Sequence, residues 1–386
     1  MRISNAIVIG AGIGGLAVAA ALARRGVAVT VLERAGRLGE VGAGLQVSPN
    51  GLAVLRALGL EAELTRKEAV AGRAVVLQTE KGREVARLDL QRLRPDQRYV
   101  FLHRADLVDM LAGLARRANV SFEFGTPVAS VRPGALPQVQ LEGGGTRQAE
   151  VVIAADGIHS VARPVLNGAD QAAFTGQVAW RALVENMGGH PAEARVGMGP
   201  GRHLVSYPVR GGRLVNLVAV EERESWAAEG WNHADDPAHL RAAFNGFSGP
   251  AGELIAAVRE VTLWGLHRHP VAEVWQRDGV ALLGDAAHPT LPFLAQGANM
   301  ALEDAWVLAE RLAERGQAGL AAYQAARRER VRRVIRASSR NAWRYHLRPG
   351  PLRLAAHLGL GAASRFAPGL MVGAFDWLYG RDVTRE

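Results

Sequence analysis

The chain has 386 residues, 48% hydrophobic and 22% charged, a formal net charge of +9 and no cysteine. That length can bury a large core and suggests two or three domains, while the composition excludes disorder. Without thiols, disulfides, thiol redox chemistry and cysteine-based metal sites are excluded. The basic residues are scattered, with no aromatic–basic repeat, so no nucleic-acid partner is expected and the charge is read as solvation that also attracts anionic substrates. The densest run, Arg327 to Arg336, alternates with apolar residues at helical spacing and is expected to be one solvated face.

The first expected elements lie between Asn5 and Arg34. A short apolar run, Ala6 to Ile9, suits a buried parallel strand. Gly10, Gly12 and Gly15 follow with the spacing G-x-G-x-x-G, with Gly14 inside it. An Ala/Leu-rich helix runs to Arg25, Gly26 ends it, and a second strand, Val27 to Leu32, finishes at Glu33 and Arg34. Such a unit binds a dinucleotide. One glycine makes the tight turn, one admits the pyrophosphate, and one lets helix and strand pack closely, while the helix N-terminus faces the phosphates. Glu33 can accept from both ribose hydroxyls and would repel a 2′-phosphate, which favours FAD or NAD over NADP at this end. The competing reading is a membrane anchor, since Ala6 to Ala23 is roughly 18 residues without a charge. Four glycines near its start and the lack of a basic leader beyond Arg2 count against it.

A glycine-rich loop, Gly36 to Gly51, comes next, and Ser48 or Asn50 is placed to cap a helix from Gly51 to Leu58. Ala74 to Leu90 reads as a hairpin turning at Lys81-Gly82. Phe101 to Arg117 reads as an amphipathic helix entered through His103-Arg104, where Arg104 can reach a phosphate or a ribityl oxygen. Strands are expected at Val120–Phe124 and Val128–Val131, with a hairpin around Gly143 to Gly145. The apolar strand from Val151 stops on Asp156-Gly157, which sets a carboxylate at the carboxyl edge of a sheet, or else simply turns the chain. A short helix with Ser160 and Arg163 follows.

From Thr175 to Trp264 the pattern becomes short alternating strands, interrupted by a helix around Pro237 to Asn245. His203, Val205 and Tyr207 share one strand face, with His203 and Tyr207 about 13 Å apart. An imidazole and a phenol aimed at a cavity could orient or deprotonate a phenolic substrate, and could equally be packed residues with satisfied tips. His267 and His269 also share a face, but no third ligand stands nearby and no metal is expected. A buried strand, Val280 to Leu283, ends at Gly284-Asp285. Pro289, Pro292 and Phe293 then restrict the backbone, and Gly297 opens a long helix whose N-terminus can hold negative charge.

The motifs GAGIGG with Glu33, DGIHSVAR, and GDAAHPTLPFLAQGANMALEDA, standing in this order, resemble the class A FAD-dependent aromatic hydroxylases, the flavoprotein monooxygenases with the para-hydroxybenzoate hydroxylase fold. The resemblance runs from residue 5 to about 340. It implies that Gly10, Gly12, Gly14, Gly15, Glu33 and Arg34 hold the ADP end of FAD, and that Arg104 reaches the ribityl–phosphate region. Asp156, with Arg163 nearby, would touch both FAD and the nicotinamide cofactor, and Asp285 would hold a ribityl hydroxyl. Gly297, Ala298 and Asn299 would face the pyrimidine edge. His203 and Tyr207 resemble positions lining the substrate pocket, with Pro292 and Phe293 beside them. In members acting on hydroxybenzoate or hydroxynicotinate the latter loop carries a polar Gln or His. Here it is Leu291-Pro292-Phe293, which leaves the carboxylate anchor open.

The expected fold is α/β, a Rossmann-like FAD-binding domain (1–72, 96–172 and 278–340) with an inserted, mostly antiparallel substrate-binding sheet (73–95 and 173–277) and a helical C-terminal region (341–386). The apolar tail is too broken by Gly and Pro to span a membrane and is expected to pack on the body or on a second copy, as in a homodimer. The resemblance implies an NADH- or NADPH-consuming monooxygenase acting on a small phenolic or N-heteroaromatic acid, with O2 carried as a flavin C4a-hydroperoxide and His203 as base. Rival readings are a hydroxylase of a larger aromatic or quinone, a flavin-dependent reductase, and a flavin-binding regulatory protein. A cytoplasmic location is the default expectation.

Overall fold

The apolar runs flanking the first glycine turn become adjacent parallel strands. In the computed structural model, which describes residues 3–39, 43–169, 171–224 and 233–386 (without the side chains of 339–344), these strands are Asn5–Ile9 and Ala28–Glu33. The helix Ile13–Ala23 joins them and is buried from Ile13 through Leu22. It packs between helices Arg104–Arg117 and Gly297–Arg315, which explains a sequence of Ala, Gly and Leu with no polar face. Residues 40–42 of the glycine-rich loop lie outside the described residues, but the loop's end is ordered as a strand, Gly44–Val47, followed by a helix starting at Pro49.

A six-stranded sheet runs in the order Gln276–Arg277, Val280–Leu282, Val151–Ala154, Asn5–Ile9, Ala28–Glu33, Ser121–Phe124. Every pairing is parallel except that of the two-residue edge strand. Its register matters most. Leu282 pairs with Ala154, and Ala154 with Ile9, so three strands end in one row. Gly10, Asp156 and Asp285 therefore emerge together at the carboxyl edge, although Gly10 and Asp285 stand 275 positions apart in the sequence.

A second sheet has eight strands, in the order His233–Asp235, Val261–Arg268, Ala173–Glu185, Leu214–Glu222, Arg202–Val209, Glu193–Gly199, Ala74–Thr79, Glu84–Asp89. It is antiparallel apart from the parallel pair Glu193–Gly199 and Ala74–Thr79. One face carries Trp180, Leu204 and Leu217, which pack with Phe244, Phe247 and Ile255 against two short helices. The other face looks toward the first sheet. Ala173–Glu185 is longer than the short strands expected, because it is paired on both sides.

Two expectations are corrected. Phe101 to Leu102 is not helical: Val100–His103 forms a strand against Gly44–Val47, and the helix begins at Arg104 with His103 Nδ1 accepting from Ala105 N. An aromatic and a β-branched residue beside a waiting strand pair more favourably than they coil. The arginine run is not one solvated face either, since Arg327 and Arg330 are buried. Arg327 meets Glu303 at 2.5 Å and Asp304 at 2.7 Å, Arg330 meets Glu303 at 2.7 Å, and His288 meets Asp304 at 2.5 Å. Burial pushes both carboxyls up, but the arginines, and His288 at Asp304, outweigh it and leave both below the usual range.

The tail packs on the body. Helix Pro351–Phe366 covers the edge strand Glu84–Asp89, where the Ser364 hydroxyl accepts from Arg87 N and donates to Arg87 O. Arg94 pairs with Asp376, and Arg330 donates to the carbonyls of Trp377 and Leu378. Among the described residues no helix is long and apolar enough to cross a membrane.

Candidate active site

Between the carboxyl edge of the parallel sheet and the open face of the eight-stranded sheet lies a cavity of about 1030 Å³. Gly10, Gly12, Gly14, Glu33, Arg34, Arg104, Asp156, Asp285, Gly297 and Ala298 line one part of it. The turn geometry follows from the absence of side chains. Gly10 has φ +95°, and a β-carbon there would stand 2.6 Å from Ala155 O. A β-carbon on Gly12 would meet nothing within 4 Å, because that position looks into the cavity. The helix that starts there has no side-chain cap, so its first N–H groups are available to an anion. Glu33, which lines the cavity, is pinned by accepting from Ala11 N at 2.7 Å and Ala35 N at 2.9 Å and keeps further acceptor capacity on both oxygens.

Burial pushes the Asp156 carboxyl up, against hydrogen bonds from Ser160 and backbone N–H groups. Its Oδ2 accepts from Val161 N, while Oδ1 is buried with no partner among the described residues. Such an orphan beside a cavity is the natural acceptor for a ligand hydroxyl. Burial also raises Asp285, with His288 and Arg104 pulling the other way. A second uncapped helix end, at Gly297, borders the same space.

Three residues expected at the site do not line the cavity. Gly15 lies under the turn and lets helix and strand touch. Asn299 is fully buried, accepts from Ser48 N and donates to Gln46 O and Ala295 O, so it ties the second helix to the strand Gly44–Val47. Arg163 donates to the carbonyls of Ala286, Ala287 and Pro270, cross-linking the Asp156 and Asp285 segments from behind.

The opposite wall comes from the eight-stranded sheet. His203, Val205 and Tyr207 all face the cavity, as the period of a strand requires. His203 is buried and stays neutral, because burial and then His346 hold it well below the ordinary histidine value. Burial drives Tyr207 far upward, so its hydroxyl keeps its proton. Pro292 and Phe293 also line the cavity, and Phe293 packs beside His203 with ring centres 5.9 Å apart.

Sequence reasoning missed Arg181. It pairs across the sheet with Val218, which pairs with Val205, so it lines the cavity from the same sheet face as the histidine, two strands away and 4.9 Å from the Trp264 ring. Burial lowers it to about 10, still cationic at neutral pH. The tail was also underestimated, because Leu360, Met371 and Phe375 form a wall of the same cavity. A polar residue embedded in an apolar strand, as Arg181 is in AWRALV, was the available signal.

Residues 4–338 match the family described as FAD binding domain. The chain belongs to that family. Its relatives include the 3-amino-4-hydroxybenzoate 2-monooxygenase PtnB3 of Streptomyces platensis, 36% identical over 97% of this chain and 95% of the relative. Another is the 3-hydroxybenzoate 6-hydroxylase of Polaromonas naphthalenivorans (strain CJ2), 33% identical over 98% of this chain and 96% of the relative. Among solved structures, Klebsiella pneumoniae HpxO complexed with FAD and uric acid matches with a TM-score of 0.84 at 28% identity, covering 97% of this chain and 96% of that one. The cofactor of this flavoprotein is FAD. Its own residues suit such a group, with uncapped helix ends for phosphate and an orphaned carboxylate oxygen for a hydroxyl.

Proposed function

We propose that the chain is an aromatic hydroxylase that uses FAD, NADH or NADPH, and O2 to add one oxygen atom to a small phenolic or N-heteroaromatic acid. The observation that carries this reading is the meeting of Arg181, His203 and Tyr207 in the cavity bounded by the three aligned strand ends. Arg181 lies two strands from Val205, about 10 Å by inter-strand spacing. A benzene ring with a carboxylate at one end and a hydroxyl at the other spans such a gap.

Each residue has a task within that frame. Gly10, Gly12, Gly14 and the uncapped helix hold the pyrophosphate of FAD, Glu33 and Arg34 its adenosine end, and Arg104, Asp156 and Asp285 its ribityl–phosphate portion. Gly15, Arg163 and Asn299 shape the pocket from outside. Gly297 and Ala298 present helix N–H groups to negative charge on the ring. When bound there, FAD would supply the redox and oxygen-activating chemistry, with NADH or NADPH as the electron source, one atom of O2 going to the substrate and the other to water.

The protein's share is to make the substrate ring electron-rich. Arg181 anchors the carboxylate by a charge-assisted pair. Neutral His203 takes the phenolic proton, and the phenolate pushes electron density onto the ring carbons. Tyr207, which keeps its proton, donates a hydrogen bond that orients the oxygen. Phe293 and Pro292 keep water from the reacting face.

A panel of hydroxybenzoates, aminohydroxybenzoates and hydroxynicotinates tests the proposal, with each compound scored for stimulated NAD(P)H oxidation and for its hydroxylated product. At least one should be converted stoichiometrically. Uncoupled oxidation with every compound would refute the small-acid reading. The apolar stretch of the cavity along Leu77, Met198, Leu360 and Met371 favours one extension, so acids with an alkyl or aryl substituent belong in the same panel as a test for a larger substrate.

A further inference from the structure

Behind His203, away from the cavity, stands a second histidine from a distant part of the chain. His203 Nδ1 lies 2.6 Å from His346 Nε2, and His346 Nδ1 lies 2.9 Å from Glu222 Oε1. The two histidines are buried, whereas the Glu222 side chain is 44% exposed. His346 follows the long helix Gly319–Tyr345, and Gly201 fixes it to the sheet. Gly201 N donates to His346 O at 3.1 Å, and Glu222 N donates to Gly201 O at 2.8 Å.

We propose that Glu222 and His346 are positioning residues that lock the tautomer of His203 and carry its proton between the cavity and solvent. The lock follows from donor and acceptor counting. An ionised carboxylate only accepts, so His346 Nδ1 must carry the proton. Neutral His346 then has a bare Nε2, which must accept from His203 Nδ1–H. His203 is left with a bare Nε2 toward the cavity it lines, the form that a general base requires. The proposal rests on the reading of His203 as that base.

The same line moves a proton out while leaving both histidines neutral, so that the only charge left in the interior is that of the phenolate. As Nε2 of His203 takes the phenolic proton, Nδ1 passes its own to His346 Nε2, and His346 Nδ1 passes its proton to Glu222, where water removes it. Running the steps in reverse returns a proton to the hydroxyl of the product and resets both rings. Among the described residues, the other titratable or charged neighbours include Arg202 and Arg223, paired with Glu221 at 3.4 and 3.3 Å, Tyr345, whose ring is 5.3 Å from His203, and Tyr207 on the cavity side. Both arginines are turned to Glu221, so Glu222 is the carboxylate that closes the line at His346 Nδ1.

The test uses FAD-loaded protein labelled with ¹⁵N-histidine, with ring tautomers read by long-range proton–nitrogen NMR at neutral pH and no substrate present. Wild-type protein should show His203 and His346 both as Nδ1–H tautomers. In Glu222→Leu, a change at the exposed end that spares the core, His346 should become a tautomer mixture and His203 should gain Nε2–H. Hydroxylation of the best acid in the panel should then fall about 10- to 100-fold in kcat with KM and flavin retention little changed, and Glu222→Asp should restore part of it. His203 protonated on Nε2 in the wild type, or tautomers and kcat unmoved in Glu222→Leu, would overturn the relay. The base itself is judged separately by His203→Ala, since the tautomers are read without turnover.

Discussion

Gly15 lies so close beneath Gly10 that a β-carbon on it would stand 2.0 Å from the Gly10 carbonyl oxygen. Neither backbone can retreat, because Gly10 N is itself bonded to Leu32 O. Gly15→Ala should therefore destabilise the apoprotein by about 1–3 kcal/mol, the usual cost of forcing extra volume into a packed site. Gly12→Ala is the contrasting change, since its β-carbon meets only open cavity. That variant should melt like wild type without flavin and yet retain FAD poorly. Apoprotein melting and flavin titration, run side by side, separate the two effects.

Arg181→Met should raise KM for aromatic carboxylates about 10- to 100-fold, the range expected when a buried charge-assisted hydrogen bond worth about 1.5–3 kcal/mol is lost. A phenol without a carboxylate should bind both forms alike. Equal loss with acid and neutral phenol would mean that the substitution had disturbed the cavity as a whole.

The pH dependence of His203 has a definite sign. Its folded-state value is depressed by burial, so below about pH 6.5 the unfolded chain binds a proton that the folded chain refuses. This histidine therefore makes stability fall as the pH drops through that range and level off only below its folded value. His203→Gln should flatten that part of the stability curve measured by urea unfolding. For the same reason kcat/KM should stay level through the ordinary histidine range, and an acid limb centred near 6.5 would contradict a neutral buried base.

Arg327 faces Glu303 and Asp304 where water does not reach. Arg327→Met leaves two buried carboxylates short of a partner and should cost about 3–5 kcal/mol. The loss should shrink on acidification, as the stranded carboxyls take up protons. A denaturation series at neutral and mildly acidic pH would show this, and a pH-independent loss would point to packing alone.

The dinucleotide end was legible because its physics is local: glycine spacing, a strand before, a helix after and Glu33 at the second strand's end lie within 30 residues. The Asp156 and Asp285 motifs were legible as strand ends, but only the register Ile9–Ala154–Leu282 brings them to one edge. Side-chain periodicity likewise gave the shared face of His203 and Tyr207, since alternation is intrinsic to a strand. It could not show that Arg181 joins them, which depends on two antiparallel pairings. Nor could it tell that Arg327 and Arg330 would be buried. An amphipathic pattern shows that a helix has two faces, and only packing decides that another helix brings carboxylates to the charged one. The placement of His346 beside His203, 143 residues apart, is the clearest case. Nothing local specifies it, because it is made by the course of the long helix and by the backbone bonds that Gly201 forms on either side.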